Sequence, residues 1–372
     1  MVNIRAPKKT SSPDYVFIAF VLVLIAFGLV MLTSASSDLG KARFGDSYYY
    51  LVHQILYGLV PGIIGFFATF LIYYRRFEKW SMPILAISIL FLLLIFTPLG
   101  FSAKGSDRWI QLGSFTFQPA ELLKFSFFAY LAAWISRKKE RNKSLSEGFL
   151  PFLLITGFIM TLIILQPSTS IAILILAAAL FTYFTAGAKI KFLAVALLIA
   201  LVAIGLVVYF TPYRLERVMT FFRPSAANEL SSGYHINQAL IAIGSGGFTG
   251  VGYGQSTTKL HYLPEPIGDS IFAVLGEELG FLGTMAFILI FLMFIWRGLR
   301  IAKEAPDSFG RLVVVGFITL ICLQAFVNIA AISGILPLTG MPLPFVSYGG
   351  TALAVLLTMC GMMVNISRYR KH

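Results

Sequence analysis

Ten apolar runs, each close to the ~20 residues an α-helix needs to cross a bilayer, set the limits on what this chain can fold into. They lie at about 15–34, 52–73, 81–99, 116–135, 149–165, 169–187, 190–210, 269–296, 312–334 and 345–366. The hydrocarbon layer offers no water to an exposed N–H or C=O, so runs of this length read as helices. They predict an all-α polytopic membrane protein of about ten spans, one membrane domain over residues 1–372. It has a polar N-terminal tail (1–14), a long connection at 211–268 between spans 7 and 8, and a short C-terminal tail (367–372). Hydrophobic residues make up 58% of the chain and charged ones only 12%, which excludes an ordinary soluble globule. Pro167 and Gly187 separate the fifth, sixth and seventh runs. LTSASSDLG after the first run is a poor cleavage site, so that span is expected to be retained.

A formal net charge of +13 would suggest nucleic acid in a soluble protein, but here the position of the charges decides. With the N-terminus inside, cytoplasmic segments collect Arg5, Lys8, Lys9; Arg75, Arg76, Lys79; Arg137, Lys138, Lys139, Arg141, Lys143; Lys189, Lys191; Arg297, Arg300, Lys303, Arg311; and Arg368, Arg370, Lys371. That is twenty of the 29 basic residues, and it predicts a multi-pass protein with both termini cytoplasmic and no nucleic-acid partner. Trp80, Trp134 and Trp296 fall at the same ends of their spans, as an aromatic belt requires. Cys322 and Cys360 form no CxxC pair. His53, His235, His261 and His372 have no HxxxH or HExxH relation, so they read as interfacial or solvated and not as a zinc site.

Polar residues at or inside spans are costly and mark candidate sites. In LPEPIGDSIFAVLGEELG, Asp269 stands where the long connection meets an apolar helix, with Glu277 and Glu278 deeper. On a helix Glu277 is offset from Asp269 by about 80° and shares a wall with it, whereas Glu278 lies opposite and supports a neighbouring element. The competing assignment for Asp269 is a helix N-cap, a position that favours Asp. Glu121 and Lys124, three apart in QPAELLK, share a face and neutralise each other, either as one wall of a cavity or as a lock between helices. Arg214, Arg217 and Arg223 break the inside-positive trend and suit a diphosphate or lipid headgroups; Lys104 and Arg108 lie in the connection before the fourth span. The uncharged GILPLTGMPLPFVSYGGTA supplies Ser347 and Tyr348 on a rigid turn. No GxxxxGK[ST] or strand-linked GxGxxG is present, so no nucleotide-binding fold is indicated.

KGSDRWIQLG with FQPAELLK, PYRLERVMTFFRP, GYHINQALIAIGSGGFTGVGYGQSTTKLHYLPE, GDSIFAVLGEELG and PLPFVSYGG together resemble the SEDS family of membrane glycosyltransferases that polymerise peptidoglycan. The match runs in family order over nearly the whole chain. PYRxxR and AGAK look more like the cell-division branch than the elongation branch. The resemblance implies a ten-span fold in the bacterial cytoplasmic membrane and the joining of lipid II, an undecaprenyl-diphosphate-linked disaccharide peptide, on its outer face. It implies Asp269 as the essential aspartate and Glu121 with Lys124 as the intramembrane polar pair. It also implies a class B penicillin-binding transpeptidase and other division proteins as partners, within membrane lipids.

Two departures from the family pattern stand out. Ser168 follows Gln166-Pro167 where an acidic residue is common, and Ile267-Gly268 replace His-Thr, so Asp269 is expected to lack an imidazole neighbour. The expected chemistry is inversion by a single base, Asp269, with Arg108, Lys124, Arg214 and Arg217 holding the departing diphosphate. A divalent cation, magnesium or manganese, is compatible, and Lys259, Glu277, Ser347 and Tyr348 complete the expected substrate contacts. A lipid-precursor flippase, an elongation-type polymerase and a non-catalytic division scaffold are the alternatives.

Overall fold

The computed structural model describes residues 11–98, 100–103, 106–112, 115–222, 232–260 and 262–370. Lys104, Arg223, His261 and His372 lie outside them. Among the described residues the helices are α1 (Tyr15–Phe44), α2 (Tyr49–Leu71), α3 (Arg75–Leu94), α4 (Pro119–Ser136), α5 (Leu145–Leu165), α6 (Thr169–Thr185), α7 (Ile190–Tyr209), α8 (Pro212–Phe222), α9 (Ser232–Ser245), α10 (Ile271–Glu304), α11 (Ser308–Ile332) and α12 (Gly350–Ser367). Eight of these are long and apolar enough to cross a membrane. The remaining two of the ten apolar runs are α6, which is shorter, and α4, whose hydropathy is lowered by Glu121 and Lys124.

Local chemistry explains the helix ends. Asp14 caps α1 by accepting from the Phe17 N–H at 3.0 Å, and Gly45, at φ 72°, closes it with an N–H bond to Lys41 O. Asp307 caps α11 through the Gly310 N–H at 2.8 Å. Pro119 opens α4, where a missing N–H costs nothing. The all-α expectation needs one addition. Three short strands ahead of α4 form a small antiparallel sheet, β1 (Gly100–Ala103), β2 (Ser106–Leu112) and β3 (Phe115–Phe117), with Phe101 opposite Trp109 and Ile110 opposite Phe117.

Helices α4, α11 and α12 form the interior, where Phe127, Phe128, Phe317, Met362 and Met363 are fully buried. Polar side chains bind the spans together: Thr69 donates to Thr358 O at 2.9 Å, and Asn365 donates to Phe70 O and Ile72 O. At the basic end, buried Asp14 pairs with Arg297 (2.9 Å) and Arg370, so α1, α10 and the C-terminal residues are tied to one carboxylate. Burial pushes the Asp14 pKa up, but the Arg297 bond, the Phe17 N–H and Arg370 outweigh it and hold the group below the ordinary range.

The eighth apolar run departs from expectation. The helix starts at Ile271 and extends to Glu304, and it is broken at Gly280 (φ 63°, ψ −165°). The glycine-rich turn after α9 enters the break: Val251 N–H and Gly252 N–H donate to Glu277 O and Glu278 O at 3.0 Å each. In return Phe281 N–H and Leu282 N–H donate to Gly247 O and Phe248 O at 2.9 and 3.1 Å. The backbone groups freed by the break are therefore satisfied by a loop, the condition for irregular backbone at such a depth. Contact this close needs glycine. Gly250, at φ 85°, would place a Cβ 2.2 Å from Glu278 O, and a Cβ on Gly280 would lie 2.2 Å from Gly250 N.

Gly250→Ala is expected to undock this turn and cost on the order of 3 kcal/mol. Gly205→Ala, in open space on α7, should be neutral or stabilising by up to about 1 kcal/mol. Thermal unfolding of the detergent-solubilised variants checks both, and equal midpoints would refute the close-approach account.

Candidate functional site

Asp269 sits on a shelf made by residues 264–270 and the segment joining α11 to α12. Glu265 adopts a left-handed backbone (φ 51°), and its carbonyl accepts from Gly268 N–H (2.9 Å) and Ser270 N–H (3.3 Å), so a tight turn aims residue 269 away from the helix. Three clamps fix that turn. Tyr348 N–H donates to Ile267 O at 2.8 Å and Ser347 Oγ donates to Gly268 O at 2.6 Å. Asn328 Nδ2 donates to both Asp269 O (2.8 Å) and Met341 O (2.7 Å). Asp269 is not an N-cap: α10 begins two residues later, and Ser270 holds the cap position. The Asp269 side chain is 13% exposed, facing Gly340 across the shelf.

An imidazole does stand beside Asp269, contrary to expectation, but it comes from α9. His235 Nε2 is 4.0 Å from Asp269 Oδ1 and 2.5 Å from Ser270 Oγ. Burial drives the His235 pKa down to about 4, with Glu265 raising it and Arg217 lowering it, so the ring is neutral at neutral pH. His235 is thus not one of the bland interfacial histidines. No local spacing reveals it, because it is 34 residues away and is delivered by the packing of α9 on α10.

Glu277 does not share a wall with Asp269. It is 1% exposed and its carboxylate is enclosed by residues 256–258: it accepts from Thr257 N–H at 3.0 Å and from the Ser256 and Thr258 hydroxyls. The break at Gly280 and the docked turn close that side. Glu278 points the other way, as its helical phase requires, and pairs with Lys259 at 2.9 Å and Ser34 at 2.6 Å. Lys259, expected to contact substrate, is therefore buried in a tie between α1, α10 and the 246–268 segment, where its ammonium also meets Gly254 O.

Glu121 and Lys124 form a 2.7 Å pair, and Gln324 receives the ammonium at 3.0 Å while donating to Pro342 O at 2.9 Å. The adjoining cavity, about 30 Å³ between α4, α11, α12 and residues 342–347, has room for a water or two and not for a lipid. This geometry favours the lock between helices. Gln324 and Asn328, one turn apart on α11, set both the ion pair and Asp269 in register with the same 341–347 segment. Two amides at i, i+4 inside an apolar run are a sequence signal that could have found them.

Arg108 is bound to backbone carbonyls, Gln166 O at 3.2 Å and Pro167 O, so it caps the α5–α6 turn. Ser168 is buried and donates to Gln166 O at 3.2 Å. Arg214 reaches Thr211 and Ile164 O at 3.5 Å, and burial lowers its pKa. Arg217 reaches Leu338 O at 3.5 Å and is near enough to His235 to act on its titration. Ser347 serves as a clamp. Tyr348 packs edge-on to Tyr50 at 5.2 Å, and burial pushes its phenol up to about 12. Among the described residues no group of three His, Cys, Asp or Glu side chains could hold a metal. What the site presents is the Asp269 carboxylate on a fixed backbone with Glu265 in the same turn, a neutral imidazole and a nearby guanidinium.

Residues 14–372 match the sequence profile described as cell cycle protein, FtsW, RodA and SpoVE. The chain is 37% identical to stage V sporulation protein E of Bacillus subtilis (strain 168) over 365 residues, covering 98% of this chain and 99% of the relative. It is also 37% identical to a probable peptidoglycan glycosyltransferase FtsW of Geobacter sp. (strain M18) over 361 residues, covering 97% and 98%. Among solved structures, a chain of a peptidoglycan synthase complex with coordinated polymerization and crosslinking superposes with a TM-score of 0.80 at 25% identity, over 96% of this chain and 98% of that one. Thermus thermophilus rod shape determining protein RodA gives 0.72 at 25%, over 97% and 98%.

Lys259→Met strands the buried Glu278 carboxylate and should cost about 3–5 kcal/mol, whereas adding Glu278→Leu should recover most of that loss. Thermal unfolding of the two variants is the check, and additive losses would contradict the pairing. A second expectation concerns pH. His235 is neutral in the fold down to about 4, but an unfolded histidine takes up a proton near pH 6.5. Its stabilising contribution is thus complete above 6.5 and is lost as pH falls toward 4. The unfolding midpoint should drop more between pH 7 and pH 5 in the wild type than in His235→Gln.

Proposed function

This chain belongs to the FtsW, RodA and SpoVE family of cell cycle proteins, and we propose that it is a peptidoglycan glycosyltransferase that polymerises lipid II for septal wall synthesis. The observation that carries this reading is Asp269: its backbone is pinned by Ser347, Tyr348 and Asn328 while its carboxylate stands at the shelf beside a neutral imidazole. The other membrane-buried carboxylates, Glu121, Glu277 and Glu278, are enclosed by ion pairs or hydrogen bonds. Relatives named FtsW and SpoVE at 37% identity over nearly full length support the division branch.

In the proposed reaction Asp269 takes the proton of the acceptor's N-acetylglucosamine 4-hydroxyl. The hydroxyl oxygen bonds to the donor's anomeric carbon from the face opposite the leaving group. The bond from that carbon to the diphosphate oxygen breaks with its electron pair, and the configuration inverts. A positioned base contributes about 10²–10⁴-fold, and the diphosphate leaves without an acid if cations hold its charge. Lys124 is buried in its ion pair and Arg108 is held closely by two carbonyls, whereas Arg214 and Arg217 make carbonyl contacts only at 3.5 Å, so the cationic role falls to these two, on the helix that borders the shelf. Magnesium or manganese, if bound, would be held by the substrate's own phosphate oxygens and by water, since magnesium keeps several waters.

The excess of Lys and Arg at the opposite ends of the spans supports a shelf on the outer face of the cytoplasmic membrane, with both termini inside. The structural relative's part in a complex coupling polymerization to crosslinking supports a class B penicillin-binding transpeptidase as partner. Purified full-length protein in detergent, where no second compartment exists, should polymerise lipid II. Asp269→Asn should lose at least about 10²-fold in rate with its unfolding midpoint unchanged. Polymer from the Asn variant at wild-type rate would remove the base, and none from the wild type, with and without a transpeptidase partner, would favour a flippase or a scaffold.

A further inference from the structure

Ser270 determines which nitrogen of His235 carries its proton. The Ser270 hydroxyl has one hydrogen, and Pro264 O, 2.7 Å away, can only accept it. His235 Nε2, 2.5 Å from the same oxygen, must therefore donate, which puts the ring hydrogen on Nε2. Nε2 is 2.5 Å from Ser270 Oγ and 4.0 Å from Asp269 Oδ1, so its N–H bonds Ser270 and the ring stands beside the carboxylate without a hydrogen bond to it. The helix carrying it has little freedom. Ile243 of α9 packs against Gly276 of α10, Gly246 lies against Gly276 O, and the turn that follows is hydrogen-bonded into the Gly280 break.

We infer that His235 is a positioning residue for Asp269: with its Nε2–H bonded to the adjacent Ser270 and its ring packed beside the Asp269 carboxylate, it fixes the direction in which that carboxylate meets the acceptor hydroxyl. The inference rests on Asp269 being the base. A neutral ring suits that task better than Lys or Arg would. A cation at this distance stabilises the carboxylate and lowers its basicity, whereas a neutral ring orients it with a smaller loss of proton affinity. The charged groups facing His235 are Arg217 from α8, Glu265 from the turn and Asp269 itself, and they act on the ring with opposing signs. The imidazole thus reaches Asp269 and its neighbour Ser270 from another helix.

The side-chain amide of Gln places an N–H where Nε2 stands, while that of Asn falls one carbon short and Phe has none. Full-length wild type, His235→Gln, His235→Asn and His235→Phe are to be assayed for lipid II polymerisation across pH, alongside thermal unfolding. His235→Gln should stay within about threefold of wild-type kcat with the acid limb of its pH profile in place. His235→Asn and His235→Phe should lose about tenfold or more in kcat with little change in KM, as expected for a misaimed base, and their acid limb should move to higher pH. If the Phe variant fails to fold, the contrast between Gln and Asn decides. Wild-type kinetics in folded His235→Phe, or equal losses in folded Gln and Asn variants, would overturn the inference. Absence of polymer from the wild type would instead sink the enzymatic reading on which it rests.

Discussion

A charge buried among membrane spans must be answered by another group, because the surrounding hydrocarbon offers nothing. The chain meets this demand in a consistent way. Asp14 is closed by Arg297 and Arg370, Glu121 by Lys124 and Gln324, Glu277 by the hydroxyls and amides of residues 256–258, and Glu278 by Lys259 and Ser34. Each closure joins segments distant in sequence, so the polar groups that the bilayer penalises most also specify how the spans assemble. Asp269 is held in another way: Asn328 binds its carbonyl, Ser347 and Tyr348 bind the two carbonyls before it, and its side chain stands on the shelf beside His235.

The shelf depends on the break in α10. An unbroken helix would carry residues 246–252 past without hydrogen bonds. The Gly280 interruption opens backbone donors and acceptors that Gly247, Phe248, Val251 and Gly252 satisfy. Docking this turn fixes α9, and α9 brings His235 to Asp269. From the other side α11 contributes Gln324 and Asn328, which bind the 341–347 segment at two successive turns. Asp269 is therefore located by two independent routes, one through glycine contacts and one through intramembrane amides. This is the rigid backing that a proton-transferring group needs.

Much of this was legible in the residues themselves. Span positions follow from apolar runs, the Glu121–Lys124 pair from i, i+3 spacing, and the outward turn of Glu278 from helical phase. Phase counting puts Glu277 on the Asp269 wall because it assumes one continuous helix starting at Asp269, and neither the start at Ile271 nor the break at Gly280 has a hydropathy signature. Lys259 and Arg108 look like substrate contacts in a linear reading. Their actual partners, Glu278 and the Gln166–Pro167 carbonyls, are tertiary. His235 escaped for the same reason, since its role comes from helix packing across 34 residues. The sheet ahead of α4 is too short for a two-residue alternation to stand out beside the spans.

The central claim is that Asp269 meets the acceptor sugar. A structure of the full-length protein with a glycan acceptor bound tests it most directly. The account predicts an Asp269 carboxylate oxygen within about 2.6–3.2 Å of the reacting hydroxyl, with Arg217 on the side from which the diphosphate departs. An acceptor seated instead over the Glu121–Lys124 pair, or with its hydroxyl beyond reach of Asp269, would contradict it.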